Sequence, residues 1–457
     1  MRAHATKNVK ERSGQRAHGR ASAEIAWACL LASLIAALYK PTFAGNLALV
    51  LAVLIAMPLI GAGQLQMRVV DWGMLLIGVY EIPSLLFSQY RANSIRTAWA
   101  IAISVLAYFA IRATFRSPLQ IVAFSSLLGL GGVWLALIGL RQFDANTKLL
   151  AGVGLTDPVA FRSRLMSLPA PWILGEWLTV LLLALPFACA LPLCLWRTGK
   201  RWLAAFTIPA LLLIVAALSL SCSRAVFWSV VLFCLAACGL LVVFRVLSFR
   251  TGGLLFVSSL GALALVLACE TVAYPGIWKA YIGRGASQIR SSHGRVEVWN
   301  RSLDIVRAHP LWGVGSSNAA LFLISTADEE ETTGFASRTF SLPVQVLVEK
   351  GIFGFLLYGS VLVLAGRECI RNMRSAEKQP VFSSRATHGH SPALPAAGTG
   401  ARASPTGSAH RAMRCCFAAG LVAVLFRELT YSSVMEHTLT LVLVFALLAL
   451  LCTSERT

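Results

Sequence analysis

Charge is scarce in this chain. Only 13% of its 457 residues are Asp, Glu, Lys or Arg, about half the usual globular share. That excludes a soluble enzyme, with or without a small membrane anchor. With 57% of the residues hydrophobic, it also excludes disorder over most of the length. The apolar stretches lack the alternation of a β-barrel strand. The N-terminus lacks a small-residue cleavage site behind a short apolar core, so the basic residues 1–23 read as a cytoplasmic tail ahead of a retained helix. Metal-ligand spacing is lacking too. The chain has eleven cysteines, most of them inside apolar blocks (Cys29, Cys189, Cys194, Cys234, Cys238, Cys269, Cys416, Cys452). There they behave as small hydrophobes. Neither a metal nor a cofactor is expected.

What is present is a series of apolar blocks, each of roughly 20 residues, enough for a helix to cross a bilayer. They lie near 24–40, 44–62, 70–88, 97–115, 119–140, 173–196, 202–222, 225–246, 252–273, 343–366, 413–430 and 434–453. The expected fold is all-α, a polytopic transmembrane helical bundle of about 12 spans with a small helical periplasmic loop domain. The expected divisions are a cytoplasmic tail at 1–23, spans over 24–273, the periplasmic loop domain at 274–342, a span at 343–366, a disordered cytoplasmic linker at 367–412 and spans over 413–453. The Ser-, Ala-, Pro- and Gly-rich composition of 375–412 cannot bury a core.

Lys+Arg number 40 against 20 Asp+Glu, a net charge of +20. In a soluble chain that excess points to nucleic acid. Here Arg112 and Arg116, then Arg197, Lys200 and Arg201, then Arg245 and Arg250 fall in alternate short turns, so the charge reads as a topology signal. Both termini are expected on the cytoplasmic side of the membrane. Membrane lipids are expected partners and nucleic acid is not.

The segment 274–342 carries a helical pattern from about Gly294 to Ala308, ended before Pro310. Val296, Trp299, Leu303, Ile305 and Val306 supply most of its apolar face. Arg295 begins this helix, with Trp299 one turn on. Arg224 follows the polar turn Ser219, Ser221, Ser223 between two apolar spans. An ionisable group there is costly unless it faces a cavity or a partner; the plain alternative is an interface arginine with its head in water. Gly313 and Gly315 admit positive φ and a close approach of backbone N–H groups to an anion, or they form an ordinary loop. Glu81, Glu176, Arg427 and Glu428 are ionisable groups in or beside spans.

The stretch GRVEVWNRSLDIVRAHPLWGVGSSN, Gly294 to Asn318, resembles the O-antigen ligase and polymerase family of bacterial inner-membrane proteins. It has the family's Gly-Arg, a Trp four residues on, then Pro-Leu-x-Gly-x-Gly and an Asn. Ser221-x-Ser223-Arg224 precedes it in the right order. VQVLVEKGIFG, Val344 to Gly354, is similar to the family's opening of the next helix. The resemblance implies a metal-independent glycosyltransferase of the C type. Its donor would be a glycan on undecaprenyl diphosphate, and its acceptor a lipid A core or a growing glycan. Arg224 and Arg295 match the family's two functional arginines, and two planar guanidiniums suit a diphosphate leaving group. Ser221, Ser223, Trp299, Gly313, Gly315, Asn318 and Glu349 are the implied substrate-binding positions.

The family's histidine, nine residues before the Glu of the last motif, has no counterpart here, since Phe340–Ser341 stands in that slot. The hydroxyl proton then falls to another base, to unassisted attack, or to no active chemistry at all. Among the bases His309 is the first candidate, with His293, His437, Asp304 and Glu349 behind it. The reading adopted is a divergent active transferase with Arg224, Arg295 and His309 as its catalytic groups. A transporter or flippase of lipid-linked glycans is the alternative, although no internal repeat of the kind many transporters carry is visible.

Overall fold

A computed structural model describes residues 67–114, 118–152, 174–221, 223–274, 286–325, 339, 341–375, 405–429 and 438–452. The expected spans 24–40 and 44–62, and the basic tail before them, lie outside the described residues. Those described form helices and no strand. The helices are α1 (Val69–Leu86), α2 (Arg91–Thr114), α3 (Pro118–Gly152), α4 (Leu174–Arg197), α5 (Arg201–Ser219), α6 (Arg224–Val243), α7 (Phe249–Ala273), α8 (Ala286–Ala308), α9 (Ala319–Ser325), α10 (Leu342–Ser375), α11 (Pro405–Glu428) and α12 (Thr438–Cys452). Eight of them, α1 to α7 and α10, are long and apolar enough to cross a membrane. In hydrocarbon every backbone group must be satisfied within the segment, and a continuous helix does that.

Several helices outrun the apolar blocks. α3 continues to Gly152, through part of the loop expected from 141. Its extension holds good helix formers and an Asp144–Lys148 pair at i,i+4, 2.6 Å apart. α10 runs to Ser375 and α11 starts at Pro405, so both ends of the expected 367–412 linker are helical. Proline is favoured at a first helical position, and Glu368 with Arg371 supports the end of α10. α8 begins at Ala286, earlier than expected, and ends at Ala308 as Pro310 requires.

The spans run alternately up and down, so the bundle has two ends. α4 sits at its centre, against α3, α5 and α11. The Trp177 indole is fully buried there. Its Nε1–H donates to the Leu135 carbonyl at 3.0 Å, and its ring covers Gly139, where any Cβ would collide with it. The periphery is apolar instead. Phe206, Val243, Phe249 and Val257 all point out of the bundle. On a soluble protein such a surface would aggregate; on a membrane protein it faces lipid.

One end is basic. There Asp71, fully buried on the first turn of α1, accepts the Arg68 N–H at 2.7 Å, the Tyr108 hydroxyl at 2.8 Å and the Arg112 guanidinium. Arg68 in turn pairs with Glu368 of α10 and donates to the Cys452 carbonyl at 3.0 Å. These bonds tie α1, α2, α10 and α12 together. At the same end Arg197 caps α4 onto the Val246 carbonyl after α6. At the opposite end, Arg427 pairs with Glu428 and donates to Thr179 of α4, all buried. Arg427 and Glu428 are thus packing residues rather than interface charges.

Removing one member of a buried ion pair strands the other charge, at a cost of about 3–5 kcal/mol. Asp71→Ala should therefore lower the detergent melting temperature sharply, and Asp71→Leu with Arg112→Met should lose much less. Equal losses from the two variants would contradict the pairing.

Candidate active site at the loop end

The end of the bundle opposite the basic one carries α8, α9 and the turn between them. Here α10 is two helical stretches joined at Gly351, whose φ of 63° and ψ of −169° lie outside the helical region. Only glycine takes that conformation without strain. A Cβ at Gly351 would also strike the Leu311 carbonyl. The break frees carbonyls that an unbroken helix would use. The Val348 and Glu349 carbonyls accept the N–H groups of Val314 and Gly315 at 2.9 and 3.0 Å, and the Ile352 N–H donates to the Pro310 carbonyl at 2.9 Å. Gly313 and Gly315, with φ of 69° and 93°, let the loop lie that close.

A buried ion pair holds this joint. The Lys350 ammonium, fully buried, donates to both carboxylate oxygens of Glu81 on α1, each at 2.5 Å, and to the Ser316 hydroxyl. Ser316 lies against Ser84 at 3.3 Å, and the Ser94 hydroxyl donates to the Ser316 carbonyl at 2.9 Å. Tyr80 donates its hydroxyl to the Lys350 carbonyl at 2.5 Å. Asn318, fully buried, donates to Ser88 at 2.8 Å and to the Val314 carbonyl at 2.9 Å. Trp312 stacks on Tyr80 and Phe87, with ring centroids 5.7 and 5.3 Å away. Each of α1, the loop and α10 thus supplies a polar group that the other two satisfy.

This geometry corrects part of the sequence reading. The backbone amides of Gly313, Val314 and Gly315 are not open to an anion, because they are bonded to His309, Val348 and Glu349 carbonyls. Asn318 is a latch within the joint. Glu349 is buried and accepts from the Gln345 amide at 3.2 Å, while its own carbonyl receives Gly315. Trp299 is half open, and its Nε1–H donates to the Thr339 carbonyl at 2.8 Å, tying α8 to the entry of α10. Lys350 and its pairing with Glu81 went unread in the sequence. The signal was there: Glu81 inside the third apolar block and Lys350 inside the tenth are opposite charges that each need a partner if buried.

The arginines lie at this same end. Arg224 is the first residue of α6. Its side chain is exposed. It follows a turn in which the Ser221 hydroxyl donates to the Leu218 carbonyl at 2.6 Å and accepts the Ser223 N–H at 3.3 Å. A cation at a helix N-terminus adds to the positive end of the helix dipole, which disfavours the bare helix and favours an anion beside it. Arg295 is half-buried on α8. His309 closes α8, its ring edge-on to Phe322 with centroids 5.9 Å apart. Asp304 is exposed and pairs with Arg307 at 2.6 Å. Phe340 and His437 lie outside the described residues, and the side chain of His293 is not described.

Span-length helices, lipid-facing apolar surface and paired buried charges define a polytopic helical membrane protein. Residues 209–359 match the family model of the O-antigen ligase. This stretch runs from α5 into α10 and contains Arg224, Arg295 and the loop and α10 sides of the joint on Gly351. The match supports a membrane glycosyltransferase of the O-antigen ligase and polymerase type. No curated protein matches the chain.

Gly351→Ala should place a Cβ in the Leu311 carbonyl and strain the backbone by on the order of 1–3 kcal/mol. Reporter cysteines at Ser316 should then react with a membrane-impermeant thiol reagent that leaves them untouched in the otherwise native protein. Equal protection in both backgrounds would contradict the joint.

Proposed function

We propose that this protein moves a glycan from undecaprenyl diphosphate to an acceptor hydroxyl at the periplasmic face of a bacterial inner membrane. The acceptor is a lipid A core or a growing glycan. The observation that carries this reading is that one family-matched stretch supplies both Arg224 and Arg295, at the end of the bundle away from the basic turns. Arginine- and lysine-rich short turns stay in the cytoplasm, so the loop end is periplasmic and both termini are cytoplasmic.

The leaving group is a diphosphate, and negative charge grows on it as the glycosidic bond breaks. Arg224, at the dipole end of α6, and Arg295, on α8, offer planar donor forks to that charge, so no metal is required for this step. The serine turn Ser221–Ser223 sets where Arg224 starts. Trp299, one turn from Arg295, offers an open aromatic face to sugar rings. The joint on Gly351 fixes the loop that follows α8 against α1 and α10, and α8 packs on α10, so that Arg295 is held in place during transfer.

Loss of either arginine should remove stabilisation on the order of 3 kcal/mol, about a hundredfold in rate. Arg→Lys should rescue poorly, since an ammonium does not reproduce the fork. Glycan transfer near normal in both Lys variants would overturn their role. Profiling a deletion strain tests the activity itself. Lipid-linked glycan should accumulate on the periplasmic side, with either an unattached ladder, for a ligase, or single repeat units, for a polymerase. Accumulation on the cytoplasmic side would instead mark a flippase.

A further inference from the structure

The buried carboxylates among the described residues are Asp71, Glu81, Glu270, Glu349, Glu368 and Glu428. Asp71 pairs with Arg112, Glu81 with Lys350, Glu368 with Arg68 and Glu428 with Arg427. Glu349 accepts from Gln345 within its own helix. Glu270 stands apart. It lies one turn from the loop end of α7 and is 7% exposed. One carboxylate oxygen accepts the Ser219 hydroxyl. The other, Oε2, is buried and receives no hydrogen bond. Among the described residues no cation faces it in the way each of the four paired carboxylates is faced.

A carboxylate inside a span with no counter-charge is costly, and such groups mark function. The position is informative as well. α7 turns most of its surface outward, and Glu270 is on the narrow inward face with Gly252, Leu263 and Leu267. Its partner Ser219 ends α5 and begins the turn that runs through Ser221 and Ser223 into Arg224. The serine hydroxyl also lies 2.9 Å from the Ala216 carbonyl, so its single proton is shared between that carbonyl and Glu270. The turn that carries Arg224 therefore has a carboxylate anchored at its foot by one oxygen, with the other oxygen free of any donor among the described residues.

We infer that Glu270, held by Ser219 beside the Arg224 turn, is the group that accepts the proton of the acceptor hydroxyl. The inference rests on the transferase reading above and supplies the base that Phe340 leaves missing. The acceptor oxygen forms its bond to the anomeric carbon as the bond from that carbon to the diphosphate oxygen breaks. The electron pair of the broken bond leaves with the diphosphate, beside Arg224 and Arg295, and the hydroxyl proton passes to Oε2 of Glu270. Ser219 is a positioning residue, since it keeps the carboxylate turned to present Oε2. His309, by contrast, is packed edge-on against Phe322.

The test uses the full-length protein in proteoliposomes, with undecaprenyl-diphosphate-linked glycan and a hydroxyl acceptor, reading release of undecaprenyl diphosphate. General-base assistance contributes about 10²–10⁴-fold. Glu270→Gln should lose about that factor in kcat while the donor KM stays near that of the native protein, because the arginines still bind the diphosphate. Added formate should restore part of the rate in Glu270→Gly and none in Arg224→Ala, a response that loss of packing alone would not give. If Glu270→Gln does not yield folded protein, Glu270→Asp decides: the shortened carboxylate should slow transfer at least tenfold with an unchanged donor KM. A Glu270→Gln or Glu270→Asp rate equal to that of the native protein, or absence of formate rescue, overturns the assignment while the transferase reading stands. Failure of the native protein to release undecaprenyl diphosphate overturns both.

Discussion

The bond from the Lys350 ammonium to Glu81 is the interaction on which the rest of the loop end depends. Two opposite charges, both buried, are affordable inside a bundle only when each is fully bonded. Lys350 meets that demand with two carboxylate oxygens and the Ser316 hydroxyl. Because Glu81 is on α1, Ser316 in the loop and Lys350 on α10, the pair cannot form unless all three are brought together. The neighbouring break at Gly351 makes the approach feasible. It turns two helix carbonyls outward, and the glycine-rich loop takes them up. Segments far apart in sequence are thereby fixed in a single register beneath α8, the helix that carries Arg295.

The basic end is built on the same principle with other residues. Asp71 there is surrounded by an amide, a phenol and a guanidinium, and Arg68 spreads from Glu368 to the last carbonyl of α12. Between these two polar ends the bundle is held by apolar contact around α4, where glycines such as Gly139 admit large side chains. Fixed polar ends and an apolar middle give a stiff frame whose chemistry is confined to one surface. Glu270, a buried carboxylate whose second oxygen receives no hydrogen bond among the described residues, is anchored to the turn that leads into Arg224. Four of the six buried carboxylates among the described residues are ion-paired, which makes Glu270 informative.

Much of this was legible in the sequence, and the reason is physical. Hydrocarbon imposes helices on long apolar runs, so the segments that became α1 to α7 and α10 stood out directly. Pro310 marked the end of α8. Helix ends were less legible, as α3 and α10 show, because helix formers continue past the apolar block where nothing stops them. The roles of Gly313, Gly315 and Asn318 were misjudged for a different reason. A glycine pair with a nearby asparagine reads as an anion cradle when the partner strand is unknown, and the partner here, the broken turn at Gly351, lies more than thirty residues on. Lys350 and Glu270 were overlooked because each looks like a stray charge until its surroundings are seen.

The central claim is that the loop end breaks the bond between a glycan and its polyprenyl diphosphate. The most direct measurement follows that bond. Purified protein is reconstituted with a donor labelled in both the glycan and the diphosphate, the acceptor is supplied on one side, and the two labels are tracked separately. Transfer predicts that the glycan label moves to the acceptor while the diphosphate label stays with the lipid, in equal amounts. Movement of both labels together across the membrane, with the bond intact, would contradict the account.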